Sequence, residues 1–141
     1  MLAVWGAPYQ KSDDVNRAVR AAIEMQWAVL RLNEQWMQQR NLQIQVHIGL
    51  NTGVVAAGNI GSEKLIQYAT IGNTTNVTSR ICCAAKAGEI LISQTTLDKL
   101  RDWSLPVEKM LPLLVKGKNQ PLQLYRVLWN QVKPLAANLS E

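Results

Sequence analysis

The chain has 141 residues, 48% of them hydrophobic and 18% charged, with a net charge of +5 from 15 basic and 10 acidic side chains. That length suits one globular domain, which can bury roughly 68% of its unfolded surface. The basic residues are spread from Lys11 to Lys133 rather than clustered with aromatics, which argues against a nucleic-acid footprint, and no apolar run reaches the ~18 residues of a membrane span.

The opening "MLAVWGAP" (1–8) is an apolar run closed by Gly6 and Pro8, which predicts a strand over 1–5. It starts inside that run with no lead-in and without the basic-then-apolar layout of a signal peptide, so the chain reads as one cut at its N-terminus. Any membrane anchor would have to lie outside it. Residues 12–40 predict a long helix. Ser12 is a suitable N-cap, and Asp13 and Asp14 suit the positive end of the dipole. Val15, Ala18, Ala22, Met25, Val29, Leu32 and Trp36 step by three and four, which gives one apolar stripe to bury.

"LQIQVHIGL" (42–50) alternates, with Leu42, Ile44, Val46, Ile48 and Leu50 on one side and Gln43, Gln45 and His47 on the other. This is the pattern of a strand with one buried face. His47, the single histidine, reads as a side chain on a wet or interfacial face, since no nucleophile or carboxylate lies beside it in sequence. Gly53, Gly58 and Gly61 follow in "NTGVVAAGNIGS" (51–62). They permit tight turns but form no P-loop, because no Gly-Lys-Ser/Thr follows. "KLIQYAT" (64–70) reads as a further strand.

A second helix is expected from Asn73 or Thr74 to about Lys86, with Val77, Ile81 and Ala84 on its apolar edge and Gly88 closing it. "EILIS" (89–93) predicts a short buried strand and "QTTLDKL" (94–100) a short helix. Residues 111–128 predict two strands joined by a turn at Gly117 to Gln120, and the tail from Asn130 is expected to be loose. Alternating helices and strands predict an α+β sandwich with the helices on one sheet face. Cys82 and Cys83 are neighbours. Adjacency disfavours an unstrained disulfide between them, and no second pair completes a zinc site. They read as reduced, partly buried helix residues, consistent with a cytoplasmic protein.

The second helix is made of weak helix formers: Thr74, Thr75, Asn76, Thr78 and Ser79. Asn76 and Arg80 lie four apart and share a helix face. An Asn offers a donor and an acceptor, and an Arg offers a fork of donors with permanent charge. Held rigidly together, the pair suits a nucleotide, with the amide on sugar or ring and the guanidinium on phosphate. Such i,i+4 polar pairs are also common on plain solvated faces.

The surrounding sequence, "VHIGLNTGVVAAGNIGSEKLIQYATIGNTTNVTSR", closely resembles the catalytic domain of class III nucleotidyl cyclases, the adenylyl and guanylyl cyclases. "LAVWGAP", "RAVRAAIEMQ", "GEILIS" and "VKGKNQPLQLYRV" fit the same family in the same order. The resemblance covers nearly the whole chain, to about residue 128, leaving 129–141 as a tail. It implies a ferredoxin-like cyclase fold, with an antiparallel-rich sheet, that lacks the family's first strand and helices. It further implies a head-to-tail pair of domains, as a homodimer or with a cyclase-domain partner, with ATP or GTP bound between them. The ribose 3′ oxygen would attack the α-phosphorus and pyrophosphate would leave, with two Mg²⁺ or Mn²⁺ ions assisting. By position Asn76 resembles the ribose-orienting Asn and Arg80 the transition-state Arg. Lys116 resembles the Lys holding the terminal phosphates, with Lys118 a weaker candidate. A purine-selecting residue is expected directly after Tyr68, at Ala69, with Thr70 next. The family's two metal-binding aspartates would fall ahead of Met1, so no metal ligand is assigned, and the fragment alone is expected to be inactive. The alternative is a catalytically inactive cyclase-like module that binds a protein or a nucleotide.

Overall fold

A computed structural model describes residues 1–6, 10–53, 73–114 and 120–134. The long helix α1 runs Asp14–Arg40. Ser12 does not cap it. Asp13 occupies the cap position without a side-chain bond, and the Asp14 carboxylate accepts the Lys11 backbone N–H at 2.7 Å and the Arg17 guanidinium at 2.5 Å. An acid in the first turn meets amides that have no intrahelical acceptor and sits at the positive end of the helix.

The inward face of α1 matches the apolar stripe read from the sequence only in part: Ala22 is buried and Val15 packs against the core, but Met25 is exposed. Its buried residues are Asp14, Val19, Ala22, Ile23, Gln26 and Asn33, so Gln26 and Asn33 occupy places expected for Met25 and Leu32. The cause is backbone demand from residues 42–47. Asn33 Nδ2 donates to Ile44 O at 2.7 Å while the Ile44 N–H donates to Asn33 Oδ1 at 2.8 Å. Gln26 Nε2 donates to Val46 O at 2.9 Å. Two helix amides thus stand in for a neighbouring strand, which an extended segment otherwise needs.

The sheet contains β1 (Ile48–Leu50), β2 (Ile90–Ser93), β3 (Val107–Lys109) and β4 (Leu124–Val127). Their order is β1-β2-β4-β3. β1 runs parallel to β2 with Ile48 opposite Ile90, whereas β2–β4 and β4–β3 are antiparallel. The α+β class and the antiparallel-rich sheet agree with the expectation. The layering does not. Ile90 and Ile92 pack with Val19, Ala22 and Ile23 of α1, while Leu91 packs with Val77 and Ile81 of the second helix, α2 (Asn73–Ala84), and with Ala85 just after it. Successive strand residues point to opposite faces, so α1 and α2 cover opposite sides of the sheet. β2 accordingly is buried at all four positions, as a strand covered on both faces must be.

α2 lies unusually close to β1. A Cβ on Gly49 would stand 2.4 Å from Cys82 N and 2.7 Å from Cys82 Cα. Only glycine permits that approach.

Other elements shift from their expected places. Residues 1–4 are exposed and form no strand, because no strand among the described residues supplies their backbone partners. Within 42–50, burial alternates as expected at Ile44, Val46, Ile48 and Leu50, but only 48–50 pair as strand, and Leu42 is exposed. The partner of β4 begins at Val107, earlier than position 111. Beyond it a single bridge joins Leu113 to Leu122, after Pro112, which has no N–H to donate. Residues 129–132 are pinned rather than loose: Trp129–Gln131 form a 3₁₀ turn, Trp129 Nε1 donates to Gly88 O and Trp27 Nε1 to Val132 O, each at 2.8 Å; the tail beyond 134 lies outside the described residues. The two indoles meet edge to face at 5.3 Å, a favoured aromatic geometry. The short helix α3 (Gln94–Asp98) is capped by Ser93, whose hydroxyl accepts the Thr96 N–H, as expected of a Ser N-cap. Among the described residues no helix is long and apolar enough to cross a membrane. The segment 64–70 and the turn at Gly117 lie outside the described residues.

Two outcomes follow from this packing. Gly49→Ala should lower the urea midpoint at constant slope by the equivalent of about 1–3 kcal/mol, the usual cost of overpacking, because the intruded atoms are backbone. Asp14 titrates below its ordinary value of 3.8, first because of the Lys11 amide and then because of the Arg17 guanidinium. A carboxylate depressed on folding stabilises the fold above its unfolded pKa, and that share is lost as pH falls through the lower folded value. Asp14→Asn should therefore be less stable near neutrality and show a shallower loss of stability below about pH 4 in acid titrations followed by circular dichroism.

Candidate functional site

α2 is fastened to β1 and its continuation along the helix's length. In the last turn, His47 Nδ1 lies 2.7 Å from Cys82 O. A carbonyl can only accept, so Nδ1 carries the hydrogen. At the first turn Asn51 Nδ2 donates to Thr74 O at 3.3 Å, and Thr78 Oγ1 donates to the same carbonyl at 2.7 Å. A Cβ on Gly53 would stand 2.6 Å from Thr74 Oγ1. The 51–53 segment is itself tied to β2 and α3: Thr52 Oγ1 and Ser93 Oγ each lie 3.0 Å from Thr96 Oγ1.

This fastening buries Val77, Ile81 and Ala85 and turns the opposite side of α2 outward. Asn76, Ser79, Arg80 and Cys83 are all exposed, so Cys83 is not the partly buried residue expected. Asn76 and Arg80 stand one turn apart on that outer face. Among the described residues neither is joined to another side chain. Arg17, Arg20 and Arg126, by contrast, are each paired with acids: Asp13 and Asp14, Glu24, and Glu89 with Glu108 respectively. The Arg80 fork is thus left with its charge and donors available to an anion, and Asn76 with both a donor and an acceptor.

Of the residues singled out from sequence, the structure brings Asn76 and Arg80 together on one face. Ala69, Thr70 and Lys116 lie outside the described residues. Two residues that position α2, His47 and Asn51, were not singled out for that role. The signal was the alternation of 42–50: extended by one step it places His47, Gly49 and Asn51 on the strand face away from α1, and that is the face α2 covers.

The described residues do not fit a divalent metal ion. They contain no group of three His, Cys, Asp or Glu that could hold one, and Asp14 is committed to Arg17 and Lys11.

Residues 2–128 match the adenylate and guanylate cyclase catalytic domain family. The chain is 37% identical to the guanylyl cyclase Cya2, whose crystal structure superposes with a TM-score of 0.77 over 87% of this chain and 62% of that one. It is 32% identical to the adenylyl cyclase CyaB from P. aeruginosa, with a TM-score of 0.76 over 88% of this chain and 64% of that one. Adenylate cyclase 1 of Rhizobium meliloti (strain 1021) is 25% identical over 133 residues, which are 91% of this chain but 19% of that protein. The chain thus spans less than two thirds of either solved structure and about a fifth of that curated relative. With residues 2–128 in that match, the chain belongs to the adenylate and guanylate cyclase catalytic domain family.

Proposed function

We propose that this chain supplies one wall of a nucleotidyl cyclase site that converts ATP or GTP to a cyclic nucleotide and pyrophosphate. A second cyclase domain, which brings the metal-binding aspartates, supplies the other wall. In the reaction the ribose 3′ hydroxyl gives up its proton to solvent as its oxygen forms a bond to the α-phosphorus, and the bond from that phosphorus to the α,β-bridging oxygen breaks, so that pyrophosphate leaves with that oxygen. Negative charge grows on the phosphate oxygens as this happens. Arg80 meets that charge, and Asn76 holds the ribose so that its 3′ oxygen is aligned. Lys116 binds the terminal phosphates, and Ala69 and Thr70 lie against the purine. Mg²⁺ or Mn²⁺, the divalent ions of this family, would be held by carboxylates that this chain does not supply.

One observation carries this reading: an amide and a guanidinium, joined to no other side chain among the described residues, are fixed one turn apart on the exposed face of a helix whose other face is locked to the sheet. Preorganised donors aimed at developing charge are usually the largest single contribution to catalysis.

The test is complementation. This chain is mixed with a cyclase domain that keeps its metal-binding aspartates but has its own transition-state Arg replaced by Ala. Cyclic nucleotide should form in the mixture and not from the chain alone. Arg80→Ala in this chain should reduce the product rate by about 10²–10³-fold, and Asn76→Ala should also lower kcat, on the scale of losing a preorganised donor. Supplying ATP and GTP in competition identifies the purine. If the mixture forms no product while both domains are folded, the chain is a cyclase-like module without catalytic function.

A further inference from the structure

We propose that His47 is a positioning residue for Arg80, an inference that rests on the cyclase reading above. The imidazole does not reach the outer face of α2. It acts on the helix backbone, through the 2.7 Å bond from Nδ1–H to the Cys82 carbonyl.

Three contacts along one strand set how α2 lies. Asn51 holds the Thr74 carbonyl in the first turn. Gly49 gives the close backbone contact at Ile81 and Cys82. That contact is van der Waals packing against a residue with no side chain, so it limits distance but not rotation about the helix axis. His47 adds the directional restraint at Cys82. Cys82 lies in the last turn, where carbonyls lack an intrahelical donor further along, and it receives only one backbone N–H, from Ala85 at 3.2 Å. Its second lone pair is available to the imidazole.

Cys82 is two residues from Arg80, so any rotation at that turn passes directly to the guanidinium. A helix with its side chains is about 10–12 Å across, and a turn of ~10° about its axis therefore moves a group at its surface by about 1 Å. Misplacement of a catalytic group by about 1 Å can cost up to 10²-fold. His47 thus contributes to rate without touching the nucleotide. The same bond explains why a lone histidine sits on the solvent-side register of an otherwise plain strand.

The experiment uses the complementation mixture described above, with His47→Leu or His47→Asn introduced into this chain. The Asn side-chain nitrogen stands as many bonds from Cα as Nδ1, so it can keep the donor to Cys82. Steady-state kinetics are measured with ATP and GTP, and backbone amide exchange is followed over α1 and α2. His47→Leu should lower kcat about tenfold, leave KM within about twofold and speed exchange in the last turn of α2 but not in α1. His47→Asn should restore both kcat and protection. The proposal is overturned if His47→Leu keeps parental kcat and exchange, if its exchange rises equally throughout α1 and α2, or if His47→Asn fails to restore what Leu lost. If the mixture containing the unmodified chain makes no cyclic nucleotide, the cyclase reading fails by itself. Exchange then decides the clamp: selective loss of protection in α2 with rescue by Asn upholds it, and no change overturns it.

Discussion

The close approach between Gly49 and the Ile81–Cys82 backbone determines how α2 can sit and therefore where Asn76 and Arg80 stand. A helix normally meets a sheet through side chains on both partners. On β1 one partner has none, so α2 packs backbone on backbone and its position is set to within a fraction of a van der Waals contact. Every other restraint on the helix works around that point: the amide of Asn51 at one end, the imidazole of His47 at the other, and the apolar seal of Val77, Ile81 and Ala85 against Leu91 and Leu124.

The same strand is built differently on its two sides. Toward α1 it offers Ile48 and Leu50 to an apolar core with Val19, Ile23 and Ile92. Toward α2 it offers His47, Gly49 and Asn51. Non-directional packing on one face supplies stability in proportion to buried apolar area. Directional bonds and close contact on the other supply geometry. The segment just before β1 follows a third arrangement, in which Gln26 and Asn33 of α1 meet its backbone groups in place of a strand. Those two amides are buried, and each would cost the fold if left unpaired. Among the described residues no buried side-chain nitrogen or oxygen lacks a partner.

These arrangements explain which parts of the molecule were legible in its sequence. β2, α2 and α3 were readable because local pattern and tertiary role agree: four consecutive buried residues in β2, an i,i+4 apolar seal in α2, and a Ser cap for α3. The inner face of α1 was legible only in part, because hydrophobic periodicity assigns Gln26 and Asn33 to solvent, and only a long-range backbone demand turns them inward. The layering failed for a related reason. Periodicity shows that a helix has an apolar stripe but not which side of the sheet that stripe meets, and the continuous apolar run of β2 was the available sign that both sides are covered. The region after β4 was misread because its anchors are two indole N–H groups separated from their acceptors by long stretches of chain. At the site, the shared outer face of Asn76 and Arg80 was legible from spacing alone. The parts played by His47 and Asn51 in holding that face were not, since a bond to the backbone of a distant helix leaves no mark on local composition.

The poor helix propensity of α2 now has a physical account. Most helical stability in proteins comes from packing of one face rather than from intrinsic preference. Here the packing is strong and the strand also satisfies backbone groups at both ends, so the helix tolerates Thr74, Thr75, Asn76, Thr78 and Ser79. Thr78 even returns its hydroxyl to the Thr74 carbonyl, a local bond that competes with helical geometry when unsupported. Because the sheet stabilises the helix from below, the outer residues need not. They can be chosen for donor number and charge.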